Sequence, residues 1–138
     1  MPPRKQAATR RAPRRRAAPA PEAVDTSRAP ALAAALAGVD KKAEEPAVLD
    51  LRGLSSYADY VVLLSADNPR QIEAVQEAIE TRLRAEGRRP LGEEGSGASG
   101  WMLLDYGDIV VHVLSPEARA FYDLEGLWGD APRVPVEG

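Results

Sequence analysis

The sequence predicts an α+β fold: a single two-layer domain with one mixed β-sheet and helices mainly on one face. Three observations predict it. The run Tyr60-Val-Val-Leu-Leu-Ser65 is almost uninterruptedly apolar, as in a strand buried on both faces. The stretch from Asn68 to Gly87 carries the start signal, periodic stripe and stop signal of an amphipathic helix. Trp101 to Leu114 reads as two alternating strands around a turn at Asp105-Tyr106-Gly107-Asp108. The predicted order is helix, strand, strand, helix, short strand, hairpin, helix, which one mixed sheet accommodates. A chain of 138 residues has room for one modest domain with its own core.

Residues 1–28 hold eight Lys or Arg against two acidic residues, with no Val, Leu, Ile or aromatic before Val24. Such a segment lacks the apolar surface to offset its ordering entropy, so a disordered basic arm is expected. A weak RNA contact is the expected role, because each cation releases counterions from a phosphate backbone. An extension without a role is the alternative. The remaining residues hold ten basic and nineteen acidic side chains, so the arm is joined to an acidic body.

From Pro30 the Ala-rich run favours helix, with Leu32, Leu36 and Val39 marking its expected apolar face. Ala47 to Leu51 is a short strand, and Arg52 to Ala58 a small, polar loop. In the following helix Asn68 is the N-cap, Pro69 sits at N1 and Gln71 completes a capping box. Ile72, Val75, Ile79 and Leu83 are its core stripe, and Gly87 ends it. Arg89 to Leu91 is a short extended segment, and Gly92 to Gly100 a flexible loop. Ser115 caps a last helix with Pro116 at N1. There Phe121, Leu124 and Trp128 share the core-facing side, while Tyr122 and Glu125 share another. Residues 132–138 are expected to fray.

The hairpin has two faces. With Leu104 opposite Ile109, one face is Met102, Leu104, Ile109, Val111 and Val113, a core face. The other is Trp101, Leu103, Asp105, Asp108, Val110 and His112, a mixture suited to contact with a partner. Trp101 is its expected anchor, since Trp is enriched in interface hot spots; a Trp closing the end of a small core is the alternative. Asp105 and Asp108 could bring two carboxylates to Mg²⁺, yet a third ligand and a phosphate-gripping element are not evident. Turn chemistry combined with a contact role is the preferred reading of both.

Several functions are excluded or disfavoured. The chain has no Cys, so disulfides, thiolate metal sites and thiol catalysis are out. One His disfavours His-based metal cages and relays. No run approaches the ~20 apolar residues of a membrane span. The N-terminal stretch has no apolar core of a secretory signal. A cytoplasmic protein without metal or cofactor is expected. The Gly-rich loop is followed by no Gly-Lys-Ser/Thr, so it is not read as a phosphate loop.

Four motifs taken together resemble the Iojap family of ribosomal silencing factors: D-L-R-G-L-S-S-Y-A-D-Y from Asp50, P-L-G-E-E-G from Pro90, W-M-L-L-D-Y-G-D-I-V-V-H-V from Trp101 and R-A-F-Y-D-L-E-G-L-W from Arg119. The similarity spans roughly residues 30–131, taken as a folded domain of residues 29–131, and leaves the arm outside. It implies an α+β domain of nucleotidyltransferase-like topology without enzymatic activity. It further implies docking on the large ribosomal subunit through that subunit's ribosomal protein number fourteen, at the face that meets the small subunit. Subunit joining is then blocked sterically and translation repressed when nutrients are short; self-association as a homodimer is also implied. The expected partner-binding residues are Trp101, Leu103, Asp105, Asp108, His112, Tyr122 and Glu125. The rivals are a Mg-dependent nucleotidyltransferase using Asp105, Asp108 and Asp50, whose Gly-Ser and Asp-x-Asp motif is not in place, and a generic RNA-binding module driven by the arm.

Overall fold

A computed structural model describes residues 25–137. Helix α1 (Arg28–Asp40) is followed by β1 (Glu44–Asp50), β2 (Tyr60–Ser65), α2 (Pro69–Arg84), β3 (Gly92–Ser96), β4 (Trp101–Asp105) and β5 (Ile109–Leu114). Two short helices, α3 (Pro116–Tyr122) and α4 (Leu124–Leu127), and the two-residue strand β6 (Arg133–Val134) complete the chain. The sheet order is β3-β4-β5-β2-β1-β6. Only β2 and β5 run parallel, joined by the crossover that contains α2; the other pairs are antiparallel. The fold is therefore α+β with a mixed sheet, as the sequence predicts.

Helix α2 begins as its sequence dictates. Asn68 Oδ1 accepts the Gln71 N–H at 2.8 Å, and Pro69 fills the first turn. Ile72, Val75, Ile79 and Leu83 are all but completely buried. Each contributes roughly 1.5–3 kcal/mol by the area removed from water.

Helix α1 buries a different face from the expected one. Ala31, Ala34, Ala35 and Gly38 face inward, while Leu32 and Leu36 are half-buried and Val39 is exposed. Small residues let the helix axis lie close to its neighbours: a Cβ on Gly38 would sit 2.6 Å from Leu64 Cδ1. Together α1 and α2 cover one sheet face, made of Val48, Tyr60, Val62, Leu64, Met102, Leu104, Ile109, Val111 and Val113.

The β4–β5 register differs by two residues from the expected one. Leu104 lies opposite Val111, and Tyr106 N–H donates to Ile109 C=O at 2.9 Å. Gly107 and Asp108 thus form a two-residue turn, with Gly107 at φ +90 in its first position, where the II′ geometry wants glycine. A slip of two leaves every strand side chain on its original face, but Asp108, expected on the contact face, falls in the turn and bonds to Ser27 at the start of α1 and to Arg88 after α2.

Three further expectations are corrected. Gly92–Ser96 is an edge strand rather than a flexible loop, paired with β4 from Gly92 opposite Asp105 to Ser96 opposite Trp101. Glycine and glutamate are poor strand formers, so the composition hides it. Within 132–138, Arg133 and Val134 pair with β1, Val134 is buried, and Asp50 N–H donates to Pro132 C=O at 2.8 Å. The disordered arm lies outside the described residues up to 24, but 25–28 are tied down: Asp25 Oδ1 accepts the N–H groups of Ser27 and Arg28, both at 3.1 Å. No helix among the described residues is long and apolar enough to cross a membrane.

Candidate functional site

The second sheet face is covered too, and this changes the roles of the predicted contact residues. Trp101 is 6% exposed, His112 2% and Leu103 fully buried. Their cover comes from two segments of the same chain. The loop after β1 lays Tyr57 and Ala58 over Leu103 and Val110, and Ala118, Leu124, Trp128 and Ala131 pack over Leu49, Leu63, Trp101 and Leu114. Trp101, Leu103 and His112 are therefore not an outward anchor and its neighbours.

Hydrogen bonding explains how this mixed face tolerates burial. The indole Nε1–H of Trp101 donates to His112 Nδ1 at 3.0 Å. An indole nitrogen only donates, so Nδ1 is unprotonated and the ring hydrogen resides on Nε2. That nitrogen lies 3.2 Å from the Tyr57 hydroxyl oxygen. Burial, reinforced by the charges of Asp105 and Glu94, pushes the Tyr57 phenol well above its ordinary range, so it stays protonated. The Trp and His that look polar in sequence satisfy each other.

The aromatic rings continue outward from this pair. Tyr122 packs on Trp101 at 4.7 Å between ring centroids, and Phe121 meets Tyr122 edge-on at 4.8 Å. Tyr57 meets Trp128 at 5.2 Å on the other flank. Tyr122 is 40% exposed and Phe121 79%. Of the predicted aromatic contacts, only Tyr122 reaches solvent.

Phe121 was expected in the core beside Leu124 and Trp128, a spacing that presumes one continuous helix. The helix breaks at Asp123, which adopts φ 45, and Phe121 turns outward. The signal was present: Asp123 is a helix cap, its Oδ1 accepting the Gly126 N–H at 3.1 Å. Leu127 and Leu54, also exposed, flank a shallow groove floored by Leu51, Trp128 and Ala131.

The carboxylates have internal partners. Asp105 Oδ1 accepts the Gly107 N–H at 2.7 Å, which is turn chemistry. Asp108 Oδ2 receives Arg88 at 2.6 Å and the Ser27 hydroxyl at 2.7 Å. Glu125 takes a two-pronged bond from Arg119, 3.0 Å at each oxygen, and a further one from Arg133 at 3.1 Å. Arg119 is nearly buried and also donates to Ser65 Oγ at 3.1 Å. The Arg119 bonds hold the Glu125 carboxyl below the usual carboxylate range. Asp50 is held low in the same way by Arg52. Among the described residues, no group of three or more potential ligands is arranged to hold a metal.

A family model described as ribosomal silencing factor during starvation matches residues 24–138. The chain is 38% identical over 99 residues to a Halalkalibacterium halodurans protein named ribosomal silencing factor RsfS, an alignment covering 72% of this chain and 85% of that protein. A Bacillus subtilis protein of the same name is 39% identical over 104 residues, covering 75% and 88%. The chloroplastic protein Iojap of Zea mays is 36% identical over 110 residues, covering 78% of this chain and 46% of that one. A crystal structure of a Chromobacterium violaceum protein superposes with a TM-score of 0.71 at 32% identity, covering 77% of this chain and 88% of that one.

Proposed function

The chain belongs to the ribosomal silencing factor family, and from that premise we propose a non-enzymatic translational repressor that acts when nutrients are short. It docks on the large ribosomal subunit through ribosomal protein number fourteen at the intersubunit face, and its bulk blocks joining of the small subunit. When free it pairs as a homodimer.

The observation that carries this reading is the exposed pair Phe121 and Tyr122 standing on buried Trp101. An exposed tyrosine held by an underlying indole gives up little freedom on binding, and tyrosine is enriched among hot spots. Tyr122 is thus the proposed contact, with Phe121 and Leu127 extending it. Trp101 supports it from beneath and His112 holds the indole in place, while Leu103 lies under Tyr57 and Ala58 instead. The excess of acidic over basic residues in the body, Asp105 among them, steers a basic ribosomal protein towards it, whereas Asp108 and Glu125 are neutralised by Arg88, Arg119 and Arg133 and act within the fold.

The enzyme alternative gains no support from the carboxylates it needs. Asp108 and Asp50 are ion-paired to Arg88 and Arg52, and Asp105 holds its own turn.

Sedimentation with isolated large subunits, with and without small subunits, tests the proposal. The full chain is expected to pellet with large subunits and to reduce joining. A variant carrying Phe121→Ala and Tyr122→Ala is expected to bind at least about tenfold more weakly. Unchanged pelleting by that folded variant would refute the assignment of the surface.

A further inference from the structure

We propose that the open edge of β3 receives an extended, basic segment of a partner protein, one arginine of which is gripped by Glu80, Glu93 and the Tyr106 hydroxyl. The site is separate from the Phe121 and Tyr122 surface, so the two stand or fall independently.

The edge is a consequence of topology. Strand β3 ends the sheet order, and among the described residues no strand pairs with its outer side. The backbone groups along such an edge are a template for another strand. Register then decides which side chain meets it. Glu93 lies opposite Leu104, so it projects onto the face that α1 and α2 cover. There it meets α2: Gln76 Nε2 donates to Glu93 Oε1 at 2.9 Å and to Glu80 Oε2 at 3.2 Å. One amide thus holds two carboxyls side by side, one from the helix and one from the edge strand.

The pair is short of positive charge. Among the described residues, neither carboxyl forms an ion pair. Partial desolvation and the charge of Glu80 hold the Glu93 carboxyl above its usual range. Tyr106 supplies the second sign of a missing ligand. It is 7% exposed, and its hydroxyl is buried with no hydrogen-bond partner among the described residues. Burial first, and then the charges of Glu80 and Glu93, push this phenol up to about 12, which places the hydroxyl beside the same two carboxyls. Of the two cations that also act on it, Arg88 is held by Asp108, and Arg84 bonds to neither carboxyl. Two carboxyls and a phenol oxygen are an acceptor-rich set. A guanidinium, with five N–H donors in a planar fork, matches them better than an ammonium with three.

The occupant follows from charge and pattern. A second copy is disfavoured, because antiparallel pairing of two β3 strands about their centres would set glutamates against glutamates. This chain's own start carries arginine, but it has no Val, Leu, Ile or aromatic before Val24. The edge calls for one, since Leu91, two residues before Glu93, is 76% exposed. In an added strand, the residue two along from the arginine shares its face and lies by Leu91. A partner segment with an apolar residue two positions from an arginine fits both features.

Fluorescence anisotropy of a labelled T-V-T-R-T-V-T peptide, which presents that pattern in either chain direction, tests the site on the full chain. Saturable binding is expected, weakened about tenfold when citrulline replaces the arginine and by a similar factor in a Glu80→Gln, Glu93→Gln double variant. Tyr106→Phe removes an oxygen without a partner in the free protein, so it is expected to fold normally and to bind about threefold more weakly. Bound peptide is expected to slow amide exchange across residues 92–95. Equal binding of the arginine and citrulline peptides, or equal binding by wild type and the double variant, would overturn the proposal. So would binding that leaves exchange across 92–95 unchanged. Tighter peptide binding after Arg10→Gln, Arg11→Gln, Arg14→Gln, Arg15→Gln and Arg16→Gln together would also overturn it, because this chain's own start would then hold the edge. Dissociation of a dimer by the peptide would do the same by giving the edge to a second copy.

Discussion

Replacing Trp101 with alanine is expected to damage the interior before it alters any surface. The side chain is 6% exposed, lies among Leu63, Leu114 and Ala118, and donates to His112 Nδ1 at 3.0 Å. Reducing a buried indole to a methyl group costs about 3–5 kcal/mol through lost contacts and the cavity left behind. Removing the indole N–H also leaves a buried ring nitrogen without that donor, at a further cost of about 1–3 kcal/mol. Together these approach the whole stability of a small domain, about 5–15 kcal/mol. Trp101→Phe separates the two effects, keeping most of the ring and losing the donor; about 1–3 kcal/mol is expected. Urea unfolding followed by far-UV circular dichroism measures all three proteins without relying on the indole as the probe. The expected order is wild type, Trp101→Phe, then Trp101→Ala well below. A Trp101→Ala protein within about 1 kcal/mol of wild type that nonetheless failed to pellet with large subunits would refute the argument and restore the indole as a direct contact.

Tyr122→Ala should cost under about 1 kcal/mol in the same urea assay, because the ring is partly exposed, while lowering large-subunit pelleting about tenfold. Gly95→Ala places a Cβ 2.0 Å from the Trp101 carbonyl oxygen at φ +78, so about 2 kcal/mol of destabilisation and faster amide exchange across residues 92–96 are expected. Glu125→Gln leaves the nearly buried Arg119 without its carboxylate and is expected to cost about 3 kcal/mol at neutral pH. The folded carboxyls of Glu125 and Asp50 titrate below their ordinary range, so their contribution is complete above that range and is lost as pH falls through the folded values; acid unfolding of Glu125→Gln should accordingly be shallower. Glu93, exposed on the edge strand, shows the opposite sign, raised by partial desolvation and by Glu80, so its contribution is lost as pH rises through the folded value and Glu93→Gln should be at least as stable as wild type at neutral pH.

The elements that declared themselves in the sequence are those whose signals are local. Asn68, Pro69 and Gln71 start α2 whatever surrounds it, and Gly107 opens the hairpin turn because its positive φ is nearly free of steric cost there. The errors arose where distant chain decides. Alternation along β4 and β5 separates two faces correctly, but it is silent on whether a second layer will arrive from residues 51–59 and 116–131. Trp101 and His112 look solvent-bound in sequence because each carries a polar atom, and in the fold those atoms meet across neighbouring strands. The α1 stripe failed for a related reason. Leu32 and Leu36 outrank alanine in hydropathy, yet the alanine and glycine face is the one that fits against Leu64 and Val75. Of the predicted contact set, Tyr122 stands at the surface while Trp101, Leu103 and His112 lie beneath it.

The break at Asp123 both misled the periodicity and made the exposed patch. In a helix running unbroken from Pro116, Phe121, Leu124 and Trp128 would share one face; the break lets Leu124 and Trp128 pack inward while α3, seated through Ala118 and Arg119, keeps Phe121 outside. Left-handed backbone at a non-glycine residue costs on the order of 1 kcal/mol. Here the cost is offset locally: Asp123 N–H donates to Arg119 C=O at 3.0 Å, and its carboxylate caps Gly126. Glycine at 126 leaves the carboxylate in place, since a Cβ there would lie 2.2 Å from Asp123 Oδ2 and push it aside. Arg119 anchors the helix on one side of the break to Glu125 on the other. Asp123, Gly126 and the Arg119–Glu125 pair thus hold a bent segment whose inner side closes the second sheet face and whose outer side presents Phe121 and Tyr122. Covering the core and offering a contact surface are two sides of one short piece of chain, which is why the motif around Tyr122 looks partly buried and partly bare in sequence.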